Sequence, residues 1–195
     1  MKKLIAFLLT LALMMSLSAC RCSQEPATEP DPTTAPTKAT ESTKPADSKT
    51  LSGTMEENIN KIMEENPVEF MGGVIPIDLE DTTEDGLLAL TSYTGLSSGE
   101  KLKDGAVYEP MMGSQAFSLV LVRVADAADA ESVARQMKQN INPRKWICVE
   151  ANQIMAAGYG DVVMFIMLDS QLGKTAQSYV DAFQKVCGGK LDFTF

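Results

Sequence analysis

Two nearly unbroken apolar runs constrain this chain most. From Ala116 to Val124 only Ser118 and Arg123 interrupt a series of Phe, Leu and Val, and from Val162 to Leu168 nothing interrupts it. Such β-branched, uniformly apolar segments suit central strands covered on both faces. A chain holding two of them must build a sheet between packed layers. The other segments are read as the parts that cover or extend that sheet.

Weaker strand signals surround the two runs. Ala106–Met111 reads as a strand, with Gly113 and Ser114 turning the chain towards Ala116. A further strand is expected from about Trp146 to Ala157, turning at Gly158-Tyr159-Gly160 into the second apolar run. Residues 70–79 are apolar but broken by Gly72, Gly73 and Pro76, which fits a loop or an edge strand. Leu191–Phe195 forms a last short strand.

Four helices are legible. Thr54 followed by Glu57 is a capping box, and Met55, Ile59, Ile62 and Met63 follow at helical spacing, predicting a helix over 55–65 that stops before Pro67. A looser box, Thr82 to Asp85, opens a short helix through Leu87, Leu88 and Leu90 that ends near Gly95. Helices are also expected over 129–141, with Val133, Met137 and Ile141 on one stripe, and over 172–187, closed by Gly188-Gly189. The expected class is α+β: a mainly antiparallel sheet of about four to five strands with helices packed on one face.

The first 53 residues differ in kind. Lys2 and Lys3 precede a mostly apolar run from Leu4 to Leu17, and Ser18-Ala19-Cys20 follows. That order is the pattern of a secretory signal, and about 14 apolar residues are too few for a membrane-spanning helix, which needs about 20. The Leu17–Cys20 ending resembles the bacterial lipobox. The resemblance implies cleavage before Cys20 and a diacylglycerol on its sulfur, hence a lipid anchor at the extracytoplasmic face of the cell membrane. Residues 1–19 are then the signal peptide and 20–53 a lipid-anchored tether. Five of the nine prolines lie between Pro26 and Pro45, and from Ser23 to Gly53 the apolar residues are nearly all alanine, so the tether is expected to stay disordered. Residues 54–195 remain as a single globular domain.

Charge narrows the partners. Without the signal peptide the chain holds 15 basic and 26 acidic residues, a net −11 that repels phosphate backbones and anionic surfaces. Nucleic acid is not an expected partner; the membrane, through Cys20, and an envelope protein are. Histidine is absent, which removes the usual general base and the commonest metal ligand.

No constellation identifies a reaction or a cofactor. Cys148 and Cys187 lie where a disulfide is conceivable, but two buried thiols acting as small hydrophobes is the simpler reading; Cys22 belongs to the tether. Ten acids against Lys61 between Glu56 and Asp85 include Asp78, Glu80, Asp81, Glu84 and Asp85, which lack EF-hand order and read as helix-start charges rather than a Ca²⁺ loop. Ser98 and Lys101 match the S-x-x-K spacing of Ser-Lys enzymes but lie among turn residues without partner motifs. Trp146 is read as core or half-buried rather than as a sugar platform. Methionine is frequent, 12 in all; Met137, Met155, Met164 and Met167 are expected in the core, and an exposed Met-rich surface would suit adaptable peptide contacts.

Phe117–Val124, the helix carrying Arg135, and Trp146–Leu168 with its Gly-x-Gly-Asp-Val turn together resemble a family of small Firmicute lipoproteins whose extracytoplasmic domain has no assigned function. The resemblance implies a fold and a location and no activity. The expectation is therefore a non-enzymatic binding module at the cell envelope. The alternatives are a carboxylate- or Ser-Lys-based hydrolase of cell-wall material and a Ca²⁺-stabilised structural lipoprotein.

Overall fold

A computed structural model describes residues 49–195. The signal peptide, Cys20, Cys22 and the tether up to residue 48 lie outside the described residues. The ordered elements are α1 (Met55–Glu65), β1 (Gly72–Pro76), α2 (Glu84–Thr94), β2 (Leu102–Pro110), β3 (Phe117–Val124), α3 (Ala130–Asn140), β4 (Gln153–Tyr159), β5 (Val162–Leu168), α4 (Ala176–Cys187) and β6 (Phe193–Thr194). All strand pairs are antiparallel, in one six-stranded sheet of order β1-β2-β3-β5-β4-β6. The α+β class and the antiparallel sheet are as the sequence indicates.

The sheet has one strand more than expected, and helices cover both of its faces. Strand alternation divides the core. Phe117, Leu119 and Leu121 of β3, with Val162, Met164 and Ile166 of β5, pack under α1 and α4. Val120, Val122 and Val124, with Val163, Phe165 and Met167, pack against α3 and the inner side of α2. This is the physical content of an unbroken apolar run: every side chain of β5 is buried, and of β3 only Arg123 reaches the rim.

Helix ends follow the chemistry of their caps. In α1 the Thr54 hydroxyl accepts from the Glu57 amide while the Glu57 carboxylate accepts from the Thr54 amide, so two orphan donors are satisfied. Asp104 of β2 accepts from the Met55 amide at 3.0 Å and ties this helix start to the sheet. At the end of α2, Gly95 adopts φ 74°, and a Cβ there would lie 2.7 Å from the Ile141 amide nitrogen. Glycine meets both demands.

Three boundaries move. β4 begins at Gln153, not near Trp146, because residues 141–152 form an anchored loop in which Cys148 has φ 63°, outside the strand region. The β4–β5 turn is Gly160-Asp161, and β4 runs on through Tyr159. The folded body starts no later than Lys49, five residues before the boundary that composition draws. Leu51 is buried in the α1/α4 core, and the Arg123 guanidinium donates to the carbonyls of Leu51 (2.7 Å) and Gly53 (3.1 Å) while gripping both Asp161 oxygens at 2.9 Å. Lys49 pairs with Asp192, and the Asn58 amide donates to Ser52 O. We call residues 49–53 the strap.

Cys148 and Cys187 are both free. Neither is the buried hydrophobe expected: Cys148 is exposed and Cys187, the last residue of α4, is half-buried. Burial, with Asp192 adding to it, pushes the Cys187 thiol from its ordinary 9.0 up to about 12. The unfolded thiol ionises near 9 and the folded one does not, so this contribution is whole below pH 9 and is lost as pH rises towards 12. The stability gap between the wild type and Cys187→Ala, read from urea unfolding, is expected to narrow between pH 8 and pH 11. An unchanged gap would contradict the assignment.

Candidate interaction surface

One side of β1 is left open. The backbone bonds Ile77 N–Gly105 O and Met111 N–Met71 O set the phase of the β1–β2 ladder, so Gly73 and Ile75 face β2 with their amides and carbonyls while Gly72, Val74 and Pro76 present theirs outward. Among the described residues no strand pairs with that edge. Pro76 lies where its missing N–H costs no ladder bond. The expectation for residues 70–79 is met as an edge strand whose side chains divide: Val74 packs towards α1, whereas Met71 and Ile75 remain exposed.

Beside this edge lies α2, which covers little. Its four consecutive apolar residues Leu87–Leu90 bury only Leu90; Leu88 is 67% exposed. Between α2 and β1 runs a trough of about 260 Å³, floored by Ile75, Ile77 and Leu90 and walled by the helical stripe Asp85, Ala89 and Tyr93. Ala89 keeps the helix side of it shallow, and Gly73, beyond Ile75 on the same face of β1, adds open space where a Cβ would meet nothing within 4 Å; Gly86 instead packs closely against Asp81. At one end stand Asp78, Asp81 and Asp85. Thr83, through its hydroxyl and amide, holds Asp81 below the usual carboxylate value.

At the other end a buried polar network fixes the helix and the 141–152 loop to the sheet. Lys145 Nζ donates to Glu109 Oε1 at 2.5 Å, to Ser118 Oγ at 3.3 Å and to Ser92 O at 3.1 Å, and Ser118 donates to the same Glu109 oxygen at 2.7 Å. The Lys145 ammonium lies 5.3 Å from the centres of both the Tyr93 and Trp146 rings. Burial pushes the Lys145 pKa down and the Glu109 charge opposes the shift; burial, then Glu109, pushes Tyr93 up. Anchored in this way, the loop displays Ile147, which is 73% exposed and whose amide donates to Gly113 O. Met111 and Met112 stand beside it, and Met71 is joined to Met111 through the backbone. This Met/Ile rim lies at the opposite end of the sheet from the strap, about 30 Å away by the length of β2.

The residues singled out in the sequence are placed as follows. Ser98 and Lys101 form no dyad: Ser98 Oγ accepts from the Glu100 amide within a turn, and Lys101 pairs with Asp129 at 2.8 Å. In the acidic run, Asp78 accepts from the amides of Glu80 and Asp81, and among the described residues no three His, Cys, Asp or Glu side chains converge as metal ligands. Trp146 is half-buried, as expected. Met137, Met164 and Met167 are core and Met155 is half-buried; Met71, Met111 and Met112 are exposed because they lie where strands end. Sequence reading did not single out Glu109, Ser118 and Lys145, which meet only through strand register and loop placement. No helix of the described residues is long and apolar enough to cross a membrane.

No family model, curated protein or solved structure matches this chain.

Proposed function

We infer that this protein is a lipid-anchored extracytoplasmic binding module that engages an envelope protein through the β1–α2 trough and the Met/Ile rim. The observation that carries this reading is apolar surface left uncovered on an otherwise well-packed body: Met71, Leu88, Met112 and Ile147 are each 63–75% exposed and surround an open strand edge. Contiguous apolar exposure marks interaction sites, and methionine adapts its shape to a partner. The signal-like first 19 residues, Cys20 and the family resemblance support the anchor and the location. The stretch from Cys20 to residue 48 supports reach, since a chain of that length spans about 100 Å at most.

A hydrolase is less well supported. A carboxylic acid donating its proton near neutral pH needs a raised pKa, and Asp81 in the acid-lined trough is held low instead. Ser118, the serine whose hydroxyl Lys145 reaches in the polar network, is fully buried.

Two substitutions test the reading. Leu88→Asp with Met112→Asp is expected to leave the melting temperature within a few degrees, because both side chains are exposed, and to abolish capture of partner proteins by the full chain in native membranes. Capture unchanged by the pair would remove this surface from the account. Cys20→Ser is expected to leave the precursor unprocessed, read as a mass larger than the mature chain by residues 1–19 and without the lipid.

A further inference from the structure

We propose that the β1 edge binds its partner by strand addition, taking an extended basic segment of an envelope protein as a seventh strand with one Lys or Arg directed to the acidic end of the trough. This rests on the binding reading above and specifies its chemistry.

Gly72 and Val74 each offer an amide and a carbonyl away from β2, and Pro76 offers a carbonyl alone, so an added strand finds five ladder positions. Edges of this kind are usually blunted by charge or cover. Here Pro76 protects one end only, and no charged side chain lies between Met71 and Ile77.

Side-chain space follows the same direction. A strand laid along β1 places alternate side chains on the α2 side, into the trough between Ile75 and the Asp85–Ala89–Tyr93 stripe. Bare Gly73 and short Ala89 leave room there, and Ile75, Leu90 and the Tyr93 ring supply apolar contact. Leu87 and Leu88, exposed on the same helix, lie outside the trough lining.

Charge complementarity sets the partner's class. Asp78, Asp81 and Asp85 line the trough, no cationic side chain does so among the described residues, and Asp85 has no hydrogen-bond or ion-pair partner there. The chain as a whole is strongly acidic, which favours basic segments and disfavours a second copy of itself.

The test uses the full chain in detergent and short monomeric peptides of alternating Thr and Val that carry a single Lys, Glu or Ser. Hydrogen exchange is read residue by residue. The Lys peptide is expected to protect the amides of Gly72 and Val74, which face outward, while those of Gly73 and Ile75 are protected already; side-chain docking alone would not give this alternation. It is expected to bind roughly fivefold more tightly than the Glu peptide, and Asp85→Lys is expected to reverse that preference. Val74→Pro removes an outward amide without costing a β2 bond and is expected to weaken binding roughly tenfold, with the melting temperature lowered by only a few degrees through lost packing towards α1. Ala89→Arg, on an exposed helix position, is expected to block the trough if Val74→Pro does not fold. Gly72 and Val74 amides left unprotected by every peptide would overturn strand addition, and equal affinity for the Lys and Glu peptides would overturn the basic segment. If either occurs while Leu88→Asp with Met112→Asp still abolishes partner capture, the binding reading stands without this inference; if that pair has no effect either, both fall.

Discussion

Replacing Lys145 with methionine is expected to lower the unfolding free energy by about 3–5 kcal/mol, the usual cost of breaking a buried ion pair from one side. Lys145 and Glu109 side chains are only 9% and 15% exposed. Methionine keeps most of the apolar stem between the Tyr93 and Trp146 rings, so the loss is chiefly electrostatic: Glu109 is left with Ser118 as its remaining partner. For a body of this size that corresponds to a fall of about 10 °C in melting temperature. Adding Glu109→Gln removes the stranded carboxyl group and keeps an acceptor for Ser118, so the double variant is expected to regain more than half of the loss. A single variant melting within two or three degrees of wild type would show that the network is incidental. The same network holds Ser92 and Tyr93 at the end of α2, and hydrogen exchange in α2 is expected to rise in Lys145→Met before the central strands respond.

The second large effect concerns the strap. A fragment beginning at Thr54 is expected to be less stable than one beginning at Lys49 by about 3 kcal/mol. Burial of Leu51 contributes about 2 kcal/mol, and the two carbonyls that Arg123 caps add at least one further hydrogen bond of about 1 kcal/mol. Restoring residues 49–53 with Leu51→Ala is expected to recover only part of the difference. Equal urea midpoints for the two fragments would place these residues outside the fold. The strap also sets where the tether leaves the body: beside the β4–β5 turn, at the end of the sheet remote from the Met/Ile rim.

The sequence carried the central strands plainly. Apolar residues interrupted only by Ser118 and Arg123 at 117–124, and by nothing at 162–168, left no exposed face for either strand, which already implies cover on both sides of the sheet rather than on one. Thr54 with Glu57 marked the start of α1, and Gly95 and Gly188 marked two helix ends through their need for positive φ. The stretch before β4 misled because Trp146, Ile147, Cys148 and Val149 have strand-forming side chains. What keeps them out of the sheet is Lys145 buried against Glu109 and the Arg144–Glu150 ion pair, contacts that no local pattern announces. The surface was legible only in outline. Gly72, Gly73 and Pro76 signalled a loop or an edge strand, but Leu87, Leu88 and Leu90 signalled only a short helix. That three of the four residues Leu87–Leu90 stay uncovered follows from how α2 rides on the sheet, a tertiary property.

The most direct test is site-specific photo-crosslinking of the full chain in its native membrane. A photoreactive residue at Leu88 or Met112 is compared with one at Gln177, an exposed position on α4 across the sheet. The account predicts a discrete protein adduct from the first two positions, absent at Gln177 and lost from Met112 when Val74→Pro is added. No adduct at either position, or the same adducts from Gln177, would contradict it.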